Sequence, residues 1–216
     1  MIQKIILASL LFTIGCKSQE KREDVMAQQN DNLEHFDKKK FDENKKFGEY
    51  IFKLNGETKI RQMGPHEDKT YSEDIRKNNS PFRYLNAYFL NAQLKSQTKT
   101  FYVFPIGITK EYDENGKLIK ETNHDVPYKF SIDDLREKIK REYQVDIVSD
   151  YRDSDPTLIF VNRWEGYNSD GGIYKKGVPM YQIRFPILNR GTINLEINAL
   201  NGETIMEMLN GKQIKP

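Results

Sequence analysis

Residues 108–122 read ITKEYDENGKLIKET, and this stretch decides the fold that we predict. Two short runs of alternating apolar and polar residues, 108–112 and 118–122, flank the segment DENG at residues 113–116. Asn-Gly between such runs is the strongest short-range signal for a β-hairpin, because a type I′ turn needs positive φ at both central residues. The stretch therefore predicts two antiparallel strands joined by a tight turn.

A related segment lies upstream, since residues 88–98 (YFLNAQLKSQT) align with residues 112–122 at Tyr, Asn, Leu and Thr. A weaker copy covers residues 52–62, where Asn55-Gly56 takes the turn position. A lone hairpin cannot bury its apolar face, so a repeat of this size is typical of a supersecondary unit used more than once. Two unrelated hairpins are the alternative, since turn chemistry alone recruits Asn and Gly.

The pattern Tyr, two residues, Asn-Gly, one residue, Leu resembles the degenerate MORN-type repeats of bacterial toxin/antitoxin-like proteins and lipoproteins. The resemblance covers about residues 48–123, and in the first copy Asn91-Ala92 stands where the motif has Asn-Gly. It implies a β-hairpin meander used for interaction, and it implies no activity.

The region after residue 126 predicts one helix followed by strands. Ser131 and Asp134 have capping-box spacing, and the helix expected over residues 132–143 has one apolar stripe. Gly171-Gly172 and Asn201-Gly202 mark turns. Strands are expected at residues 157–164, 179–188, 192–199 and 203–209. We therefore expect an α+β fold, an antiparallel β-hairpin meander followed by a helix packed on an antiparallel sheet.

Residues 198–205, NALNGETI, resemble the closing segment Asp-Ala-x-Thr-Gly-Glu-Ile of PepSY-like domains. With the preceding helix, this resemblance covers about 90 residues. Such domains occur in secreted and membrane-tethered bacterial proteins, where a helix precedes antiparallel strands. The resemblance implies extracytoplasmic binding or inhibition, including control of peptidases, and it carries no catalytic residue to this chain.

The chain begins with Lys4, an apolar run over residues 5–14, then Gly15 and its only cysteine, Cys16. The run is too short for a membrane-spanning helix, which needs about 20 residues, but it suits a signal peptide. The segment resembles the signal and lipobox of bacterial lipoproteins, in the loose form found in Bacteroidota. We expect Cys16 to be lipidated, which places the protein in the cell envelope, on the periplasmic face or outer surface of a bacterial membrane. An ordinary signal peptide with a coincidental cysteine, or a buried N-terminal helix, is the alternative.

The sequence predicts four regions along the chain. Residues 1–15 are the signal peptide, and residues 16–46 are a charged tether, with a short helix at residues 34–41. Residues 47–126 hold the MORN-like hairpins, and residues 127–216 form the PepSY-like domain.

Charge excludes one class of partner. With 34 basic and 32 acidic residues, the formal net charge is +2. A nucleic-acid-binding protein needs a clustered excess of Lys and Arg, so we expect no nucleic acid as partner.

The sequence carries no recognisable catalytic constellation. There is no Gly-x-Ser-x-Gly motif, and the three histidines lie far apart in the chain. Asp146, Asp150, Asp153 and Asp155 could hold calcium, but Asp residues before Pro156 are more typical of a solvated turn. We therefore expect no enzyme, no cofactor and no metal site.

Aromatic residues are the remaining candidates for binding an envelope protein: Trp164, Tyr167, Tyr174, Tyr102 and Phe104. Core packing is the alternative for aromatic residues of a sheet. The sequence thus favours a membrane-anchored, non-catalytic protein-interaction module of inhibitor or immunity type. The alternative is an envelope hydrolase that uses paired carboxylates.

Overall fold

The computed structural model describes residues 35–165 and 177–215, which contain two helices and twelve strands. The predicted signal peptide, Cys16 and the first part of the predicted tether lie outside these ranges. The described residues belong to one compact unit, His35–Pro216. Neither helix has the length and apolar composition needed to cross a membrane.

The first half of the unit is a seven-stranded antiparallel meander in which every strand pairs with the next one along the chain. A short helix, α1 (Lys38–Asn44), precedes it. The strands are β1 (Glu49–Leu54), β2 (Thr58–Met63), β3 (Thr70–Lys77), β4 (Phe82–Phe89), β5 (Leu94–Phe101), β6 (Phe104–Tyr112) and β7 (Leu118–Asn123).

The second half begins with α2 (Ile132–Tyr143) and continues as a five-stranded antiparallel sheet in the order β12-β11-β10-β9-β8. Its strands are β8 (Phe160–Glu165), β9 (Pro179–Ile187), β10 (Gly191–Asn198), β11 (Thr204–Leu209) and β12 (Lys212–Lys215).

The predicted α+β class is wrong, because the fold is mostly β. Strands hold 51% of the structure and helices only 11%. The architecture is two antiparallel sheets rather than a meander followed by a helix on a sheet. Two helices of 7 and 12 residues are too few to form a layer of their own.

The three repeat segments each place a turn between paired strands. Asn55 and Gly56 have φ of 51° and 71° between β1 and β2, and Gly116 has φ of 79° between β6 and β7. In the segment of residues 88–98, Ala92 takes a φ of 73°, so this turn forms without glycine. Asn91 compensates locally, because its side-chain oxygen accepts the Gln93 N–H at 3.0 Å.

Residues 35–46, the end of the predicted tether, are folded onto the seven-stranded sheet. Phe36 and Phe41 are buried with Tyr71 and Tyr88 in a small aromatic cluster. Phe36 stacks on Tyr71 with ring centroids 4.6 Å apart. Two isolated aromatic residues in a charged segment were enough to anchor it, because large rings bury much apolar area.

The predicted helix over residues 132–143 is confirmed, together with its cap. The Ser131 hydroxyl accepts the Asp134 N–H at 3.1 Å, and the Asp134 carboxylate accepts the Ser131 N–H at 3.0 Å. The helix buries Leu135 and Ile139 in the main core, which also receives residues from both sheets.

Arg163 of β8 links the two sheets. Its side chain is almost fully buried, and its guanidinium donates to the Asp125 carboxylate at 2.8 Å. It also donates to the backbone carbonyls of Pro105 and His124. The guanidinium carbon lies 4.1 Å from the centre of the Tyr128 ring. Arg163 therefore joins β8 to β6 and to the segment that follows β7.

The Gly202 turn makes a close contact that predicts a strong effect of substitution. Gly202 has φ of 75°, and a Cβ at this position would lie 2.4 Å from Cε2 of Phe130. We expect Gly202→Ala to lower the free energy of unfolding by about 2–4 kcal/mol, from left-handed backbone strain together with overpacking. Urea denaturation followed by circular dichroism measures the loss.

Gly56→Ala is the matched control. Gly56 has nearly the same φ, 71°, but a Cβ there would meet no atom within 4 Å. It should cost only about 1–2 kcal/mol, the backbone part of the effect. Equal losses in the two variants would contradict a role for the Phe130 contact.

Candidate functional site

The five-stranded sheet has one face in the core and one face turned away from it. Val161, Ile183 and Leu195 lie in the main core. Because successive strand residues point to opposite faces, the even-numbered residues of β8, β9 and β10 lie on the other side. Met206 and Met208 of β11 pair with Glu196 and Asn194, which puts them on that side too.

We call this second side the Trp164 face. It consists of Phe160, Asn162 and Trp164 from β8, Met180, Gln182 and Arg184 from β9, Asn194, Glu196 and Asn198 from β10, and Met206 and Met208 from β11.

Trp164 lies at one end of the face, directly opposite Met180 on β9. Trp164 and Met206 are half-buried, whereas Met180 is only 2% exposed. Met180 belongs to neither hydrophobic core cluster, so its burial is a property of this face. Trp and Met are enriched in protein interfaces, and the flexible Met side chain adapts to different partner shapes.

Glu196 is the most unusual residue of the face. It sits on the middle strand between Gln182 and Met206, and it is 7% exposed. Its Oε2 atom is buried without a hydrogen-bond partner among the described residues, and burial raises the pKa of its carboxyl group. Among the described strand residues of this face it is the one carboxylate.

The sequence did not single out Glu196 or Met180. Alternation in residues 193–198, INLEIN, was the available signal, since it puts Glu196 on the side opposite the apolar residues. The burial of that side depends on cross-strand neighbours that the local pattern does not reveal.

The aromatic candidates of the meander lie elsewhere. Tyr102 and Phe104 are buried in the main core, away from the Trp164 face, and cannot offer a contact surface. Tyr102 occupies the tight turn between β5 and β6 with φ of 52°, and its hydroxyl donates to the Ile147 carbonyl at 2.7 Å. Burial raises the pKa of its phenol. Tyr102 therefore fixes the loop after α2.

Two further candidates, Tyr167 and Tyr174, lie outside the described residues. Only Trp164 of the five predicted partner-binding residues is thus placed on a surface away from the core.

The four aspartates of residues 146–155 each bind a different partner. Arg136 donates to both carboxylate oxygens of Asp146 at 2.7 Å, and this pairing holds the pKa of Asp146 well below its usual range. Asp150 accepts the Asp146 N–H, and Asp153 accepts the Asn79 N–H. Asp155 accepts from the Thr157 hydroxyl. Among the described residues no three His, Cys, Asp or Glu side chains form a group that could hold a metal ion.

A buried polar cluster in the meander is held by its own hydrogen bonds. Gln62 donates to the Glu73 carboxylate at 2.8 Å, and the Tyr88 hydroxyl donates to the same carboxylate at 3.1 Å. Burial, followed by the charge of Glu73, raises the pKa of Tyr88. These contacts orient residues of β2, β3 and β4 relative to one another, which is a structural role.

Comparison with known proteins does not indicate a function for this chain. No family model matches the sequence, and neither the curated proteins nor the solved structures give a significant match. The strongest functional candidate is therefore the Trp164 face, with its half-exposed indole and its buried carboxylate.

Proposed function

We propose that the protein is a membrane-anchored extracytoplasmic lipoprotein that acts as a non-catalytic protein-interaction module of inhibitor or immunity type. A lipid on Cys16 holds it in the cell envelope, and the partner is another envelope protein. The anchor rests on the first sixteen residues: one lysine, an apolar run, Gly15 and Cys16.

One observation carries the interaction itself, the composition of the Trp164 face. A half-buried indole stands beside thioether side chains and amide side chains on a sheet face turned away from the core. Trp and Met side chains are enriched in protein-binding surfaces, and Trp is common among the residues that contribute most of the binding energy. The inhibitor or immunity role rests on the MORN-like and PepSY-like resemblances.

Trp164→Ala should remove most of the affinity for the envelope partner. Trp residues that act as binding hot spots contribute about 2 kcal/mol or more, so we expect the dissociation constant to rise at least about 30-fold. The full-length lipoprotein is immobilised in detergent, a single retained envelope protein is identified by mass spectrometry, and its binding to both forms is measured by interferometry.

Leu188→Ala is the matched control, because Leu188 is 86% exposed but lies in the turn between β9 and β10, off the Trp164 face. It should leave the dissociation constant unchanged. Circular dichroism must show the same fold for both variants. Equal binding by wild type and Trp164→Ala would rule out the Trp164 face as the interface.

A further inference from the structure

We propose that the Trp164 face recognises its partner through one basic side chain, an arginine or a lysine that the partner inserts beside Glu196. This inference rests on the proposed function and names the chemistry of the partner at that face. It is carried by the burial of Glu196, by the residues around it and by the state of its carboxylate.

Glu196 is recessed among the side chains of the Trp164 face. On the middle strand β10 it stands directly opposite Gln182 of β9 and Met206 of β11. Asn194 and Asn198 are its neighbours along β10 on the same face, since side chains alternate along a strand. All four neighbours are half-buried, whereas Glu196 itself is 7% exposed. The carboxylate is therefore set below the side chains that surround it.

The Glu196 carboxylate is uncompensated within the described part of the chain. Its Oε2 atom is buried and accepts no hydrogen bond from those residues. Burial raises the pKa of this carboxyl group, with no opposing contribution from a cation among the same residues. An ionised carboxylate can only accept hydrogen bonds, and a buried one without a donor costs folding free energy. A donor that carries positive charge would offset this cost when it binds.

Arg184 is the other charged side chain among the described strand residues of this face. It lies opposite Asn194 rather than Glu196, and its guanidinium carbon is 5.7 Å from the centre of the Phe160 ring. The charges of Arg184 and Glu196 cancel, so these residues give the face no net charge. Attraction between the face and a basic group therefore depends on direct contact with Glu196.

A long basic side chain suits this geometry better than a short neutral donor. Arginine and lysine carry several N–H donors at the end of a flexible apolar stem, which packs on apolar neighbours while the charged end reaches further. Met206 supplies such an apolar contact, and Gln182 and Asn194 bring further acceptor oxygens to the same part of the face. Because docking excludes water, the hydrogen bond from the cation to the carboxylate becomes stronger.

Peptide binding tests this chemistry without the envelope partner. Three biotinylated tripeptides are immobilised, each with two phenylalanines around a central arginine, lysine or citrulline, and citrulline is the uncharged counterpart of arginine. The full-length lipoprotein in detergent is passed over them, and its binding is measured by interferometry. We expect the dissociation constant to be about tenfold or more lower for the basic peptides than for the citrulline peptide, as for a hydrogen bond to a charged group. This preference should disappear in Glu196→Gln, which keeps the side-chain shape but removes the charge.

Glu207→Gln is the matched control. Glu207 is another buried glutamate, on the adjacent strand β11, but it pairs with Leu195 of the main core and so lies on the other side of the sheet. Its replacement should leave the preference for basic peptides unchanged. The proposal is overturned if wild type binds the citrulline peptide as tightly as the basic ones, or if Glu196→Gln keeps the preference. The wild-type comparison needs no variant, so it decides even where Glu196→Gln does not fold.

Binding of the envelope partner separates a failure of this inference from a failure of the proposed function. If both Trp164→Ala and Glu196→Gln weaken that binding, both proposals are supported. If Trp164→Ala weakens it and Glu196→Gln does not, the Trp164 face is the interface and the basic side chain is ruled out. If neither variant changes it, the interface and this inference are both overturned.

The stability of the free protein gives a second readout. A carboxylate kept for a partner's cation destabilises the unbound chain, so an apolar residue of similar length should stabilise it. We expect Glu196→Met to unfold at a higher urea concentration than wild type and to lose the preference for basic peptides. A lower unfolding midpoint for Glu196→Met would show that Glu196 supports the fold, and it would overturn the proposal.

Discussion

Replacing Cys16 with alanine is expected to abolish both lipid labelling and cleavage of the signal peptide. The proposed processing transfers a diacylglyceryl group from a membrane phospholipid to the Cys16 sulfur, which loses its proton while the phosphate headgroup leaves. Water then cleaves the peptide bond between Gly15 and Cys16. Alanine has no nucleophilic sulfur, so neither step has its substrate. Metabolic labelling with a radioactive fatty acid, followed by intact-mass measurement, should show an unlabelled precursor that retains residues 1–15.

Ser18→Ala is the control, since it changes a neighbouring side chain and leaves the cysteine in place. It should be labelled and cut like the wild type. If Cys16→Ala gave a membrane-bound product of unchanged mass and label, the lipoprotein hypothesis would be wrong. A wild-type protein cut at the same region but unlabelled would instead favour the ordinary signal peptide.

The local chemistry of turns made much of the fold predictable. Asn55-Gly56 and Asn115-Gly116 predicted hairpins, and each lies between two paired strands with positive φ at Gly. The capping residues Ser131 and Asp134 marked the start of α2. These signals work because the residues of one short segment determine the local structure. Gly permits the left-handed backbone of a tight turn, and a capping side chain satisfies the free N–H groups at the start of a helix.

The fold class was not predictable in the same way. β3 has the sequence TYSEDIRK, in which charged residues interrupt the apolar ones, so its pattern does not predict a strand with an apolar face. Its Glu73 is buried because Gln62 and Tyr88 on neighbouring strands donate to its carboxylate. Such partners lie at cross-strand positions, so a pattern read along one segment underestimates the number of strands.

The candidate site was predicted only at Trp164. Tyr102 and Phe104 are aromatic residues of the kind that also occurs in binding surfaces, but the structure places both in the core. Composition does not separate an interface aromatic residue from a core one, since both bury apolar rings. What distinguishes them is whether the side chain lies on the face of its strand that packs in the core, and this is known only from the tertiary structure.

Arg163→Met is expected to lower the free energy of unfolding by about 3 kcal/mol, near the low end of the range for breaking a buried ion pair. Methionine keeps much of the side-chain volume but cannot donate hydrogen bonds. The carbonyls of Pro105 and His124 then lose their buried donor, and the stacking on Tyr128 is lost as well. The loss of the ion pair with Asp125 contributes less to this destabilisation, because the Asp125 side chain is half-exposed and water can hydrate it.

A loss of this size corresponds to a fall of roughly 6–12 °C in the melting temperature of a chain this long. Arg184→Met is the matched control. Arg184 lies on the neighbouring strand β9 and is exposed, so its replacement should stay within about 0.5 kcal/mol of wild type. Arg163→Lys should fall between the two variants, because lysine keeps the charge but lacks the planar fork that reaches three acceptors at once. Equal stability of the Arg163→Met and Arg184→Met variants by urea denaturation would show that the two sheets are held together by apolar packing alone, and that the Arg163 contacts contribute no net stability.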